Sequence, residues 1–475
     1  MPEVELDPDL VLLIVLPPLL FQAAVFASLG ELRANARAIS LNAFGLVLLT
    51  MAAVAVVVRA VVPGLPWAAF ALGAIVSPTD PLAAIAIAQR LGVPRRLTVP
   101  IEGESLINDG TALVAYRTAV AALGGSFSLL HASGDFLLNV AGGIAVGLVA
   151  AIVLRWVFRR VVDDDLLAIT VSLVAGYAAY VPAEELHVSG VIAAVTAGLL
   201  IGHRGSEHTT ASSRLRSAAF WDVLVFLLNA LLFILVGLQL PGILEEQDRS
   251  AATLLGLGAL VGAIVIAVRL AWFHTMPYVI RALDRRPEQV RRRLGWRPRT
   301  VMAWAGLRGA VSLAAALALP LNFPERDLLV WLTLCVIFAT LVVQGLTLPA
   351  LIRVLGIRQD DSEALHELRA RKAAARAAID RIDELRSEDW TREDSLDRLE
   401  ALHEFRLRRA AQRAGHQDGG EDLNERSQAY QRTVRDLLDT QRRELVRLRD
   451  AGEIPDEVLH SLTRELDLED RRLEI

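Results

Sequence analysis

The 475-residue chain is poor in cysteine and lysine. Its one cysteine, Cys335, lies inside an apolar run, and a lone thiol excludes an internal disulfide framework and a cysteine-based metal cluster. Lys372 is the sole lysine among many arginines, which looks like coding bias and carries no mechanism. No pair of histidines stands at metal-ligand spacing with a further ligand nearby, so no zinc-type centre is expected. The start is acidic from Met1 to Asp9, whereas the first region of a secretory signal is basic, so no signal peptide is expected there. What the chain has is apolar sequence: 53% of it is hydrophobic and the mean hydropathy is +0.42. Runs of this kind need lipid as solvent, and the composition predicts an all-α protein with many membrane spans. The net charge of −5 averages two unlike regions, since 30 of the 54 acidic residues follow Gln359.

A spanning helix needs about 20 mostly apolar residues. Eleven segments qualify, at 10–29, 38–60, 67–89, 98–120, 135–157, 165–181, 187–203, 219–240, 251–273, 300–320 and 328–352. The loops test this division independently, because arginine and lysine favour the cytoplasmic side. Alternate loops with their flanking helix ends, starting after the first span, hold nineteen arginines, eight of them in 281–299. The other set holds only Arg59, Arg117, Arg249 and Arg326. An error of one span would scramble this alternation. The N-terminus is therefore expected outside and the C-terminus inside.

Two domains follow, a transmembrane one over 1–355 and a charged helical cytoplasmic tail over 356–475. In the tail, Leu365, Leu368, Ala375, Ile379 and Ile382 fall at helical spacing as an amphipathic stripe. Gly419-Gly420 and Gly452 are expected to interrupt its later helices. The tail reads as a solvated helical extension or as a regulatory or oligomer-contacting module, and no chemistry stands out in it.

Ionisable groups inside apolar spans are costly and tend to mark ion or proton pathways. The third span is interrupted by Ser77-Pro78-Thr79-Asp80-Pro81, where two prolines flank an acid and the helix is expected to unwind. Freed carbonyls, the Thr79 hydroxyl and the Asp80 carboxylate would form an oxygen-rich site. The plainer alternative is a kink with Asp80 capping the second half-helix, and both can hold at once. The fourth span carries Glu102-Gly103-Glu104-Ser105-Leu106-Ile107-Asn108-Asp109-Gly110. Glu104, Asn108 and Thr111 share one face, and Ser105 with Asp109 occupy the adjacent strip. Hard cations such as Na⁺ take oxygen ligands. A desolvated carboxylate holds a proton or a cation but not readily both, and that competition is the physical core of an exchanger. Glu102 is expected near a helix end facing water.

Two arginines enter late spans, Arg269 and Arg308, and a buried guanidinium needs a partner. Glu104 is the best candidate for one of them. Arg269 could instead snorkel to the surface, whereas Arg308 lies mid-span among small residues that predict close packing or another break. Gly190, Gly198 and Gly237 are expected at close helix contacts.

Leu16-Pro17-Pro18-Leu19-Leu20-Phe21, Ser77 to Pro81, Glu104 to Gly110 and Gly306-Leu307-Arg308-Gly309-Ala310 occur in that order. Together they resemble the NhaP/NHE-type branch of the monovalent cation:proton antiporters over about residues 7–355. The resemblance implies an inverted-repeat fold with discontinuous helices, a homodimer in the cell (inner) membrane, and a role in sodium and pH homeostasis. It implies that Asp109 is the principal carboxylate for Na⁺ or H⁺, with Thr79, Asp80 and Ser105 around the ion and Asn108 beside them. Glu104 would pair with Arg269 as a structural ion pair, and Arg308 would support the second broken helix. Members with Asn before that Asp are typically electroneutral, so Asn108-Asp109 implies one-for-one exchange by alternating access. No cofactor is implied beyond the transported Na⁺ and H⁺, and no nucleic-acid partner beside the bilayer and the cation. Two departures stand out. The family commonly has thirteen spans and this chain begins just before the third, so the first two are expected to be missing. Gln22 replaces an acid that some relatives carry.

A K⁺/H⁺ exchanger of the same fold is the nearest rival, because selectivity rests on cavity geometry below the resolution of a sequence. A channel would show a filter-like repeat, and none is present. An intramembrane aspartyl protease would need two facing acids, which Asp80 and Asp109 could imitate. The proline-broken helix and buried arginines fit ion exchange better than peptide cleavage, so no enzyme is expected.

Overall fold

The computed structural model describes residues 8–62, 65, 68–122, 129–161, 164–204, 210–245, 249–283, 294–357, 361–413 and 420–474. Among the described residues the chain is helical and no strand occurs. It divides into two compact units, Met1–Gln359 and Asp360–Ile475.

The first unit begins with α1 (Pro8–Phe26), which carries Pro17 and Pro18 without interruption. Next come α2 (Leu29–Ala34), α3 (Ala36–Ser40), a π-helical turn at Leu41–Leu46, and α4 (Val47–Val61). Two half-helices follow, α5 (Ala68–Ile75) and α6 (Leu82–Arg90), and then the unbroken α7 (Arg95–Ala121). Long helices α8 (Leu129–Arg160), α9 (Asp165–Glu185), α10 (Gly190–Arg204), α11 (Ala211–Glu245) and α12 (Ala251–Leu283) lead to a second pair of half-helices. These are α13 (Trp296–Trp304) and α14 (Ala310–Leu317). The unit closes with α15 (Arg326–Phe338), a π turn at Ala339–Gln344 and α16 (Gly345–Val354).

By length and composition, six described helices can cross a membrane: Ala36–Val61, Phe136–Arg160, Asp165–Glu185, Ser212–Ile243, Ala251–Ala282 and Arg326–Val354. The other five expected segments fall short for physical reasons. Leu12–Phe26 and Gly190–His203 are apolar but shorter. Two are interrupted, and α7 carries Glu102, Glu104 and Asp109. The elements that fail a hydropathy criterion thus include those holding the candidate site. On the long helices Ile152, Phe226 and Phe338 are largely exposed, a surface suited to lipid rather than water.

The interior is built of small residues. Every residue of α5 but Phe70 is buried, and a side chain at Gly73 would strike the Met51 backbone, so α5 packs on α4 with backbones close. Gly198 lets α10 approach Phe21 and Ala24 of α1, and Gly190 sits against Tyr180. Gly237 does not fit this pattern. Among the described residues nothing lies within 4 Å of where its side chain would be, so the close contact expected there is not found among them.

Among the described residues the second unit has four helices, α17 (Asp361–Leu385), α18 (Glu393–Arg413), α19 (Gly420–Asp450) and α20 (Asp456–Glu474). α17 packs on α18, and α19 on α20. The stripe of α17 turns Leu368, Ala375 and Ile382 inward. Arg386 joins the first pair through Asp397 and Glu400, both at 2.8 Å. Arg442 joins the second through Asp467 at 2.9 Å. Gly452 takes a positive φ of 73° as the chain leaves α19, a conformation open to glycine.

Candidate ion-binding site

The two interruptions are bonded to each other. Pro78 and Pro81 lack N–H donors, and the helix stops at Ile75. The Asp80 N–H donates to the Leu307 carbonyl at 2.7 Å. From the other side, Arg308 Nε donates to the Val76 carbonyl at 3.1 Å, and its guanidinium also donates to the Gly306 carbonyl. The Arg308 N–H finds the Thr340 hydroxyl at 3.1 Å. Arg308 is 1% exposed, so its charge serves to satisfy carbonyls that the broken helices leave open. Asp80 Oδ1 accepts from the N–H of Leu82, the first residue of α6, at 2.9 Å. A side chain at Gly309 would run into the Asp80 carboxylate, so only glycine fits there.

α7 lies against this crossing. The Ser105 hydroxyl donates to the Thr79 carbonyl, and Asn108 Nδ2 donates to the Thr79 hydroxyl at 2.9 Å. Asn108 thereby backs Thr79 and is not among the lining residues of the cavity, and its Oδ1 is buried without a partner. Thr111 turns onto its own helix and bonds the Ile107 carbonyl.

Glu104 is fully engaged elsewhere. One oxygen pairs with Arg269 Nη1, and the other accepts from Asn42 Nδ2 at 2.9 Å. Arg269 also donates to the Ala303 carbonyl at 3.1 Å and the Met302 carbonyl at 3.4 Å. Trp272 Nε1 closes the network on Asn42 Oδ1 at 2.9 Å. Both charges are 1% exposed, so Arg269 does not snorkel.

Asp109 differs. It is 7% exposed and has no hydrogen bond or ion pair among the described residues. It lines a cavity of about 300 Å³ together with Asp80, Thr79 and Ser105. Asp80 and Asp109 are near enough to repel when both are charged. Among the described residues no three His, Cys, Asp or Glu side chains converge as a metal cage. Gln22 from α1, Glu102 from α7, Asn229 from α11 and Ser312 from α14 line the same cavity. Glu102 therefore faces this cavity, where the sequence reading put it simply at a water-facing helix end. Asn42, Asn229 and Ser312 join the site's surroundings from outside the sequence motifs. The available signal was a polar residue inside an apolar run, which is weak for a neutral side chain.

Comparison with known proteins matches residues 2–354 to the sodium/hydrogen exchanger transmembrane family. An uncharacterized Na(+)/H(+) exchanger of Mycobacterium tuberculosis is 36% identical over 99% of this chain and 88% of its own length. A sodium, potassium, lithium and rubidium/H(+) antiporter of Bacillus pumilus is 31% identical over 73% of this chain and 54% of its own. The solved sodium proton antiporter MjNhaP1 of Methanocaldococcus jannaschii, at 19% identity, superposes with a TM-score of 0.59 over 72% of this chain and 85% of that one. That likeness gives the fold, an antiporter fold with discontinuous helices. The family match spans nearly all of the first unit, and its members are transporters rather than enzymes, which removes the protease reading. The chain belongs to the sodium/hydrogen exchanger family.

Proposed function

We propose that this protein exchanges one Na⁺ or Li⁺ for one H⁺ by alternating access at Asp109. The observation that carries the reading is the unpaired Asp109 beside Asp80 in a cavity, on the same helix as a Glu104 that is fully paired. A buried carboxylate without a counter-charge needs a proton or a cation. Two acids with neutral oxygens from Thr79 and Ser105 suit a hard monovalent ion, which needs less charge than a divalent one. The Ser105 proton is spent on the Thr79 carbonyl, leaving the Ser105 lone pairs for the ion. Asn108 steadies Thr79 and contributes no charge, so one positive charge crosses in each direction and the exchange is electroneutral. Glu104, Arg269 and Arg308 hold the frame in which this occurs.

The cavity follows α7 from Asp109 past Ser105 to Glu102, toward the Arg95 end of the helix. The arginine asymmetry of the loops assigns that end to the cytoplasm, with the N-terminus outside and the tail within. The site is then open inward. A homodimer in the cell membrane fits the family. Exchange of K⁺ is the second reading, favoured by the cation range in the name of the Bacillus pumilus relative.

The test uses proteoliposomes with an acidic interior and a pH-sensitive dye. Na⁺, Li⁺ or K⁺ is added outside to wild type and Asp109→Ala, with and without a voltage clamp. Dissipation by Na⁺ in wild type alone, at a rate indifferent to the clamp, supports the proposal. A response to K⁺ alone moves the assignment to the second reading, and a clamp-sensitive rate overturns the one-for-one stoichiometry.

A further inference from the structure

α14 brings to the cavity an oxygen that lies outside the recognised motifs. Ser312 stands in its first turn, three residues after Gly309, where the backbone meets the Asp80 carboxylate. It is the sole polar side chain of an otherwise alanine-, valine- and leucine-built helix. It is 1% exposed, lines the cavity with Asp80 and Asp109, and its Oγ has no hydrogen-bond partner. A hydroxyl inside a helix ordinarily finds a carbonyl one turn back. Thr111, Thr333 and Thr340 all do so here. A buried polar group left unmade in a native structure calls for an explanation, and an unfilled ligand position is one.

We propose that Ser312 is a specificity-determining residue whose hydroxyl oxygen coordinates the transported cation. The inference rests on the exchange reading above and deepens it. The ion would be held between the first interruption and α7 on one side and the first turn of α14 on the other. Its fit would then depend on the spacing of both broken helices. The helix N-terminus disfavours a bare cation, so a neutral oxygen at that point offsets an unfavourable dipole where the ion enters. A small cation gives up more hydration energy on binding, so loss of one protein oxygen weighs more on Li⁺ and Na⁺ than on K⁺.

The full chain is assayed in proteoliposomes as wild type, Ser312→Ala and Ser312→Thr, with initial rates measured against Na⁺, Li⁺ and K⁺ concentration. Alanine is at home in this helix, so the first variant removes the oxygen and little else. It is expected to raise KM for Na⁺ about fivefold, as for the loss of one neutral polar contact, while the maximal rate is kept. The rise for K⁺, where K⁺ is transported, is expected to be smaller. Ser312→Thr keeps the hydroxyl and is expected near wild type. An unchanged Na⁺ KM in Ser312→Ala overturns the inference, and so does a lowered maximal rate with KM intact, which marks a structural role. A threonine variant as impaired as the alanine one overturns it as well. Absence of exchange in wild type overturns the parent reading and this one together.

Discussion

Glu104 and Asp109 lie five residues apart on one helix, and both are buried, yet their surroundings are opposite. Glu104→Gln leaves Arg269 buried without its counter-charge, which is expected to cost about 3–5 kcal/mol. Thermal unfolding in detergent reads this as a markedly lowered midpoint. Asp109→Asn removes a charge that has no partner and relieves repulsion with Asp80. Its midpoint is expected at or above that of wild type while exchange is lost. An exposed pair gives a pH test. Arg95 holds the Glu31 carboxyl below its usual range, chiefly through their hydrogen bonds at 2.7 and 3.1 Å. A lowered carboxyl stabilises the fold above its unfolded value and loses that contribution as pH falls through the folded one. Both side chains are well exposed, so the contribution is below about 1 kcal/mol. The stability difference between wild type and Glu31→Gln is expected to be small at neutral pH and to vanish in acid. The charged residues at this scale were legible because acids in apolar runs are rare. Residue types alone leave open which arginine Glu104 takes, since Arg269 and Arg308 are both buried candidates. Only the structure shows that Arg308 is satisfied by carbonyl oxygens instead.

The first interruption could be read from its two prolines. The second has none. Small residues around Arg308 predicted a break or a close contact, and the structure shows both: α13 ends at Trp304, and the Gly309 backbone approaches Asp80. The π turns at Leu41–Leu46 and Ala339–Gln344 were not legible, because one extra residue per turn barely alters a hydrophobic pattern. One of them holds Asn42, the second partner of Glu104. Two glycines separate geometry from mere smallness. Gly309→Ala forces a methyl group against the Asp80 carboxylate, which is expected to destabilise the crossing by about 1–3 kcal/mol and to depress exchange. Gly237→Ala enters open space in α11 and is expected to leave both unchanged or to gain a few tenths of a kcal/mol from helix propensity. Melting curves and vesicle exchange rates on the pair check this.

Across the whole molecule, hydropathy finds the long lipid-facing helices and passes over α7 and the broken elements. The part of the fold that was easiest to read is the part least concerned with chemistry. The site had to be read from exceptions: prolines and acids where apolar residues belong. The unpaired Asp109 also has a consequence for the energetics of the entire chain. A ligand that binds only the folded state stabilises it by mass action, by about 1.4 kcal/mol at ten times its dissociation constant. The fold itself then becomes a sodium gauge. Its melting midpoint is expected to climb with Na⁺ concentration at alkaline pH, to lose that dependence in acid where protons already occupy the carboxylates, and to ignore Na⁺ altogether in Asp109→Asn.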